Sequence, residues 1–192
     1  MRMAEGPMAS ITLIDESTRP KAPAIAGATA GHRRQGSRLA AIHRLHLQQF
    51  GQVQRLVEQI AAGAAGASTL GAAVAGMDMA RNYRLFGAVC GEECQMLTFH
   101  HTAEDREIFP QLKASGVPGL VAVVERLEAE HLVVHALIDE LQQGAEAIAA
   151  EPGPAAFARL RDTLGRMDKV LRSHFAYEET ELEEALGFYN VI

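Results

Sequence analysis

Three pairs of side chains that commonly bind metals share one spacing in this sequence. In each pair a histidine is followed four positions later by a second donor: His100 with Glu104, His131 with His135, and His174 with Glu178. On an α-helix, residues four apart lie about 40° apart on one face. Each pair can therefore direct two donor atoms at a single point. Leucines and isoleucines at helical spacing flank all three pairs, so we expect these faces to be buried.

Burying so many polar groups requires compensation, because an ionised carboxylate without a partner is costly inside a protein. One buried histidine is usually an ordinary hydrogen-bonded core residue. Five histidines and two glutamates on inward helix faces point instead to metal. The donors are imidazole nitrogens, which suit zinc, copper, iron and nickel, and carboxylate oxygens, which suit harder ions, with no thiolate among them. The set is too large for one tetrahedral zinc and suits two octahedral ions, with a position left open for a small ligand.

Four amphipathic stretches must position these side chains. Their apolar residues recur at spacings of three and four, and short linkers separate them, which predicts an all-α, up-down-up-down four-helix bundle over residues 37–190. Ser37 is a plausible N-cap of the first stretch, and Pro110 limits the second. Residues 1–36 contain several prolines and glycines without sustained periodicity, which predicts a flexible N-terminal arm. The four stretches are about Ser37 to Ala62, Thr69 to Phe109, Gly119 to Ala150 and Pro154 to Leu186.

Composition excludes several classes of protein. The chain has 192 residues and a formal net charge of −6, so it lacks the basic surface that nucleic-acid phosphates require. No signal-peptide stretch is visible, and the longest uncharged run, residues 60–77, is too weakly apolar for a membrane span. We expect a soluble, cytoplasmic protein that binds neither nucleic acid nor membrane. Cys90 and Cys94 are expected to be reduced core residues.

Four segments carry a resemblance to a known family. The dipeptide Ile42-His43 and the segments HHTAEDREIFP from His100, EHLVVHALIDEL from Glu130 and SHFAYEETEL from Ser173 resemble the hemerythrin-like, HHE cation-binding proteins. The resemblance covers about residues 38–188. It implies a four-helix bundle holding two iron ions in an oxo- or hydroxo-bridged di-iron centre. It also implies terminal and bridging ligands, namely His43, His100, His131, His135 and His174 as terminal ligands and Glu104 and Glu178 as bridges.

The histidine from the first helix has two candidates. The family pattern favours His43, whereas periodicity places His46 at the centre of the apolar stripe. If His43 is the ligand, His46 lies in the core or beside the ligands. His101 is about 100° round the helix from His100, and we expect it to be peripheral. Glu93 orients a ligand histidine if its helix is straight, and faces solvent if the helix bends near Gly91.

The resemblance further implies a small-molecule partner at an open iron position: dioxygen, hydrogen peroxide or nitric oxide. Expected roles are oxidative or nitrosative stress response and oxygen or iron handling, and catalase-like peroxide decomposition would make the protein an enzyme. Classical oxygen carriers place an aspartate five residues after the last histidine. Here Glu178 follows His174 by four, which argues against simple oxygen carriage. The alternative is a metal-dependent regulatory or binding module whose metal is structural. The sequence leaves the oligomeric state open.

Overall fold

The computed structural model describes residues 14–66, 93–151 and 153–192, and within these ranges the regular structure is entirely helical. We number the helices in chain order. The third, α3, is described from residue 93 to residue 113 and contains a π-helical turn at Glu104–Ile108. None of the helices described is both long enough and apolar enough to cross a membrane. The other helices are α1 (Ala30–Gly36), α2 (Leu39–Gly66), α4 (Pro118–Ala150) and α5 (Pro154–Phe188).

The beginning of α2 and the end of α3 differ from the sequence-based expectation. Ser37 is the C-cap of α1 and its hydroxyl donates to the Arg34 carbonyl, so it does not cap α2. Helix α3 continues through Pro110 because the π-helical turn changes the hydrogen-bond register. The Phe109 N–H donates to the Glu104 carbonyl, and Pro110 then lies in the first turn of Phe109–Lys113, where its missing N–H costs nothing.

Two apolar clusters form the core. The first contains Phe50, Leu97, Val134 and Leu171 among its members, and the second contains Leu39, Phe109, Leu127 and Leu182. Each of the four long helices contributes to both clusters, and its buried histidines lie where one contribution ends and the other begins. The polar side chains therefore form a layer through the middle of the core, and apolar packing on both sides keeps water away from it.

The described part of the N-terminal segment, residues 14–36, lies against the long helices. The Arg33 guanidinium is paired with Glu184 on α5, with 2.7 Å between Nη2 and Oε2. Helix α1 also crosses α5 at two glycines. A Cβ atom at Gly36 would lie 1.8 Å from the Glu183 carbonyl oxygen, and one at Gly187 would lie 1.8 Å from the His32 carbonyl oxygen. Side chains at either glycine would force the helices apart.

These contacts concern the second part of the flexible arm that is expected over residues 1–36. Residues 14–36 contain α1 and a short 3₁₀ turn, Glu16–Thr18, and pack on the bundle. Residues 1–13 lie outside the described part of the chain, as do Cys90 and residues 67–68. The linker expected over residues 63–68 is wrong for residues 63–66, which belong to α2. Mobility of the segment stays a prediction, and so does the domain boundary near residue 37.

Candidate metal centre

The polar layer contains ten buried ionisable side chains from α2, α3, α4 and α5. Most of them fall into two adjacent groups whose potential ligand atoms lie within 4.8 Å of one another inside each group. We call His101, His131 and His174 the nitrogen cluster. The remaining group, which combines imidazoles with carboxylates, we call the mixed cluster: His43, His100, Glu104 and Glu178.

The mixed cluster joins three helices. From α2, His43 directs its Nε2 atom at the Nε2 atom of His100 on α3, at 3.2 Å. Carboxylates complete the group, with 3.3 Å between His43 Nε2 and Glu178 Oε2 and 3.3 Å between His100 Nε2 and Glu104 Oε1. The His43 ring stacks on Phe175 at 3.9 Å between centroids, which fixes the plane of the imidazole.

The nitrogen cluster consists of one imidazole each from α3, α4 and α5. The rings of His101 and His131 are stacked with centroids 4.0 Å apart, and those of His131 and His174 meet edge to face at 4.9 Å. All three Nε2 atoms are buried without a hydrogen-bond partner. Because an imidazole nitrogen that no hydrogen bond satisfies is costly to bury, three such atoms together indicate a missing shared partner.

Two carboxylates lie between the clusters. Glu104 Oε2 is 3.5 Å from His131 Nε2, although the other oxygen of Glu104 faces His100. Glu178 Oε2 is 4.0 Å from His174 Nε2 and 3.3 Å from His43 Nε2. Both carboxylates therefore reach donors of both groups, as a bridge between two cations requires.

The donor atoms fit metal cations. Eight buried side-chain nitrogen and oxygen atoms in the described residues have no hydrogen-bond partner, and all but Glu93 Oε2 belong to the two clusters. An unsatisfied buried polar group costs about 1–3 kcal/mol. A cation in each cluster would give these atoms a common partner and would offset the burial of two carboxylates.

Hydrogen bonds at the outer nitrogens orient the ligand rings. His131 Nδ1 is 2.8 Å from Asp105 Oδ1, His43 Nδ1 is 2.9 Å from Glu179 Oε1, and His174 Nδ1 is 3.2 Å from Glu130 Oε2. With the outer nitrogen engaged in this way, the inner Nε2 atom of each ring is directed at the cluster.

Glu130 connects the N-terminal segment to this outer layer. Arg19 donates two hydrogen bonds to it, Nε to Oε1 at 2.9 Å and Nη2 to Oε2 at 2.8 Å, and Arg126 donates a third. Burial alone would raise the pKa of Glu130, but bonds from His174, Arg19 and Arg126 lower it to about 2. Glu130 is therefore ionised near pH 7 and places a negative charge behind His174.

Burial determines the charge of the ligand groups in the metal-free chain. It lowers the pKa of His100 to about 3 and lowers the pKa values of His101 and His174, so these imidazoles are neutral near pH 7 and keep a lone pair for a metal. Burial and the charge of Glu178 raise the pKa of Glu104 well above its ordinary value. Burial acts on Glu178 in the same direction, yet His43, His174 and His100 lower its pKa to about 2.

A comparison with protein families agrees with this geometry. The model of the hemerythrin HHE cation binding domain matches residues 35–186. The chain belongs to this family. Searches of curated proteins and of solved structures give no match. Domains of this family bind metal cations, and the two clusters of the hemerythrin domain fit a metal site.

The structure brings six of the sequence-predicted site residues together. His43, His100, Glu104 and Glu178 form the mixed cluster, and His131 and His174 belong to the nitrogen cluster. His135 lies outside both clusters, half-buried, with its Nε2 atom 3.4 Å from His101 Nδ1. His46, the alternative to His43, also lies outside them; its Nδ1 atom is 2.7 Å from Oε1 of Glu93, which is buried.

His101 is the residue that sequence reasoning missed. The expectation that it is peripheral is wrong, because its side chain is fully buried in the nitrogen cluster. That expectation assumed a single target for each helix. Two clusters lie side by side, so the turn of about 100° between neighbouring residues directs His100 at one cluster and His101 at the other. Adjacent histidines on a helix that crosses a two-metal site are the signal that could have revealed this.

An apolar pocket ends at the mixed cluster. In the part of the chain that is described, it has a volume of about 390 Å³ and is lined by side chains of α2 and α3, among them Ile42, His46 and Phe99. His100 and Glu104 also line it. Pockets of a few hundred Å³ with mostly apolar walls and few polar groups are typical of small-molecule sites. No comparable pocket among those described reaches the nitrogen cluster.

Proposed function

We propose that this hemerythrin domain binds two iron ions and that the pair binds or reacts with a small oxidant. His43 and His100 hold one ion, and His131 and His174, completed by a third histidine, hold the other. Glu104 and Glu178 bridge the pair. The observation that carries the proposal is the set of buried donor atoms without hydrogen-bond partners, in two groups joined by two carboxylates. Two adjacent irons supply two-electron chemistry toward a small oxidant.

The mixed cluster is the side at which the oxidant binds. It offers two imidazoles and two bridging carboxylates, one donor fewer than the nitrogen cluster with the same bridges. Because these residues supply fewer donors, an ion held there would keep more positions for an outside ligand. The apolar pocket of about 390 Å³ reaches this cluster and would admit dioxygen, hydrogen peroxide or nitric oxide while excluding bulk water.

The bundle topology that we propose is up-down-up-down. Along α2 and α4 the chain passes from the second apolar cluster, through the polar layer, to the first. Along α3 and α5 it passes in the opposite order. This alternation supports antiparallel neighbours, and it brings polar residues from four helices to one level.

The physiological role we propose is in oxidative or nitrosative stress or in oxygen and iron handling, with catalase-like peroxide decomposition as the enzymatic form. The pocket at the mixed cluster favours a reactive centre. The well-bonded outer nitrogens of the nitrogen cluster favour the second candidate, a regulatory or binding module whose metal is structural.

Anaerobic loading with ferrous iron, followed by metal analysis and exposure to azide, peroxide or nitric oxide, separates these candidates. We expect about two irons per chain, as two-metal sites require, and a visible spectrum that changes with each small molecule. Oxygen evolution from peroxide would identify catalase-like turnover. Two bound irons with a spectrum insensitive to all three reagents would support the structural alternative, and a chain that binds no iron would contradict the proposed di-iron centre.

A further inference from the structure

We infer that His101, and not His135, supplies the third nitrogen ligand of the nitrogen cluster. His135 instead holds the ring of His101 in place from outside. This inference rests on the proposed function, since it concerns the ligands of one of the two ions. It replaces the ligand that the HxxxH spacing of α4 suggests by a residue on a different helix.

The position of the His101 side chain is that of a ligand. The side chain is fully buried, and its Nε2 atom has no hydrogen-bond partner. His101 also belongs to a group with His131 and His174 in which one ring nitrogen of each residue lies within 4.8 Å of the others. Three helices thus bring one imidazole each to the same place, and all three rings have an Nε2 atom without a hydrogen-bond partner, which suits a cation with three nitrogen ligands.

His135 occupies the place of an outer partner. Each ring of the nitrogen cluster has its Nδ1 atom engaged: that of His131 by Asp105 at 2.8 Å, that of His174 by Glu130 at 3.2 Å, and that of His101 by His135 Nε2 at 3.4 Å. His135 therefore does for His101 what a carboxylate does for the other two rings.

Proton positions make the two roles exclusive. When Nε2 of a neutral His101 gives its lone pair to a cation, its proton is on Nδ1 and points at His135. His135 Nε2 must then accept that hydrogen bond with its own lone pair. The same atom has no lone pair left for the ion, so His101 as a ligand excludes His135 Nε2 as one.

The placement of His135 follows from the buried face of α4. Leu127 and Val134 are fully buried and lie on one side of His131 around the helix. His135 lies about 40° round on the other side. The His135 side chain therefore lies at the edge of the buried face of α4 and is half-buried, whereas the His131 side chain points into the core.

A matched pair of variants tests the inference. His101→Phe and His135→Phe each replace an imidazole by a ring without a donor, and circular dichroism of the metal-free variants checks that both fold. Iron per chain is then measured at saturating ferrous iron, with wild type alongside. We expect His101→Phe to hold one iron where wild type holds two. We expect His135→Phe to hold two, with affinity for one of them lowered about 10–100-fold, the usual effect of removing an outer partner.

The variant His135→Gln adds a rescue, because its side-chain oxygen can accept from His101 Nδ1 and should return most of the lost affinity. The inference would be overturned if His135→Phe held only one iron, whatever His101→Phe held. It would also be overturned if His101→Phe held two irons. A wild type without iron would instead contradict the proposed function.

If His101→Phe fails to fold, the nitrogen-15 spectrum of histidines in zinc-loaded wild type decides the question. We expect a metal-bound Nε2 for His101 and an Nε2 free of metal for His135, and the reverse assignment would overturn the inference.

Discussion

The nitrogen cluster and the mixed cluster share three things: the helices α3 and α5, the two carboxylates that reach both of them, and the depth of burial. They differ in surroundings. Each of the three imidazoles of the nitrogen cluster has its outer nitrogen matched to a partner, as His43 of the mixed cluster also has, and no described pocket reaches the nitrogen cluster. The mixed cluster has two imidazoles, and His100 and Glu104 also line an apolar pocket.

This difference suits the two parts of the polar layer to different tasks, one to retaining an ion and the other to exchanging a small molecule. Ligands that are numerous and held from behind favour retention of an ion, whereas fewer ligands beside an open pocket favour exchange of a small molecule at the ion. Helix α3 contributes to both, because the adjacent residues His100 and His101 face different clusters. In the function that we propose, two adjacent residues of one helix would therefore serve different sides of the centre, one that retains an ion and one that reacts.

The largest effect is expected where the clusters meet. Glu104 faces His100 with one oxygen and His131 with the other, so Glu104→Gln should abolish binding of both ions. Glu107→Gln, on the exposed surface of the same helix, is the control and should leave both in place. Metal analysis after dialysis measures the result. Retention of one ion by Glu104→Gln would mean that the clusters are independent.

Acidification should have the next largest effect, on the metal-free chain. Burial gives His100, His101 and His174 folded-state pKa values below the unfolded value, so the unfolded chain binds more protons between the two values. Stability is therefore fully present above about pH 6.5 and falls as the pH drops toward 3. Glu130 and Glu178, whose pKa values are lowered to about 2, extend the loss below pH 4.5, whereas Glu104 acts in the opposite direction.

Urea unfolding across this pH range measures the loss. Saturating iron should oppose it, because bound metal stabilises only the folded state. An unfolding midpoint that is flat between pH 7 and pH 4 would contradict the burial of neutral imidazoles.

A smaller and selective effect is expected from the N-terminal segment. Arg19→Ala removes two hydrogen bonds from Glu130, which then orients His174 less firmly. The affinity of the nitrogen cluster for its ion should fall about tenfold, which is the smallest loss usually seen when a hydrogen-bond partner of a ligand is removed. The affinity of the mixed cluster for its ion should stay unchanged. Arg172→Ala is the matched control, since Arg172 pairs with Asp168 on the surface of α5. Equal weakening of both ions would contradict the route through His174.

The smallest effect is expected in the rate at which azide binds, with no change in iron content. Ala103 lines the pocket, so Ala103→Leu narrows the approach to the mixed cluster and should slow azide binding several-fold without changing the iron content. Ala129→Leu, on the exposed face of α4, is the control. Stopped-flow absorbance measures both variants. Unchanged azide kinetics in Ala103→Leu would mean that the small molecule reaches the ions by another route.

Much of the helical fold and of the centre followed from spacing. Histidine and carboxylate pairs four residues apart, on faces rich in leucine, predicted inward-facing donors, and the hemerythrin family assignment agrees with that pattern. Six of the seven residues expected to bind metal lie in the two clusters, and local helix geometry alone accounts for a pair such as His100 and Glu104. The choice between His101 and His135 depends on which side of α4 is buried, and that is decided by packing between helices.

Contacts between residues that are far apart in the sequence also could not be predicted from it. The pairing of Arg19 with Glu130 joins residues more than a hundred positions apart, and no local periodicity encodes it. The π-helical turn before Pro110 also could not be predicted from local periodicity. Proline predicts a break, whereas the packed chain changes its hydrogen-bond register and continues.

Crystals of the iron-loaded protein test the central claim most directly, through the anomalous signal of iron. The account predicts two peaks about 3.5–4 Å apart, the usual separation in two-metal sites. One should lie among His101, His131 and His174 and the other beside His43 and His100, with Glu104 and Glu178 between them. A single peak, or two peaks without these carboxylates between them, would contradict it.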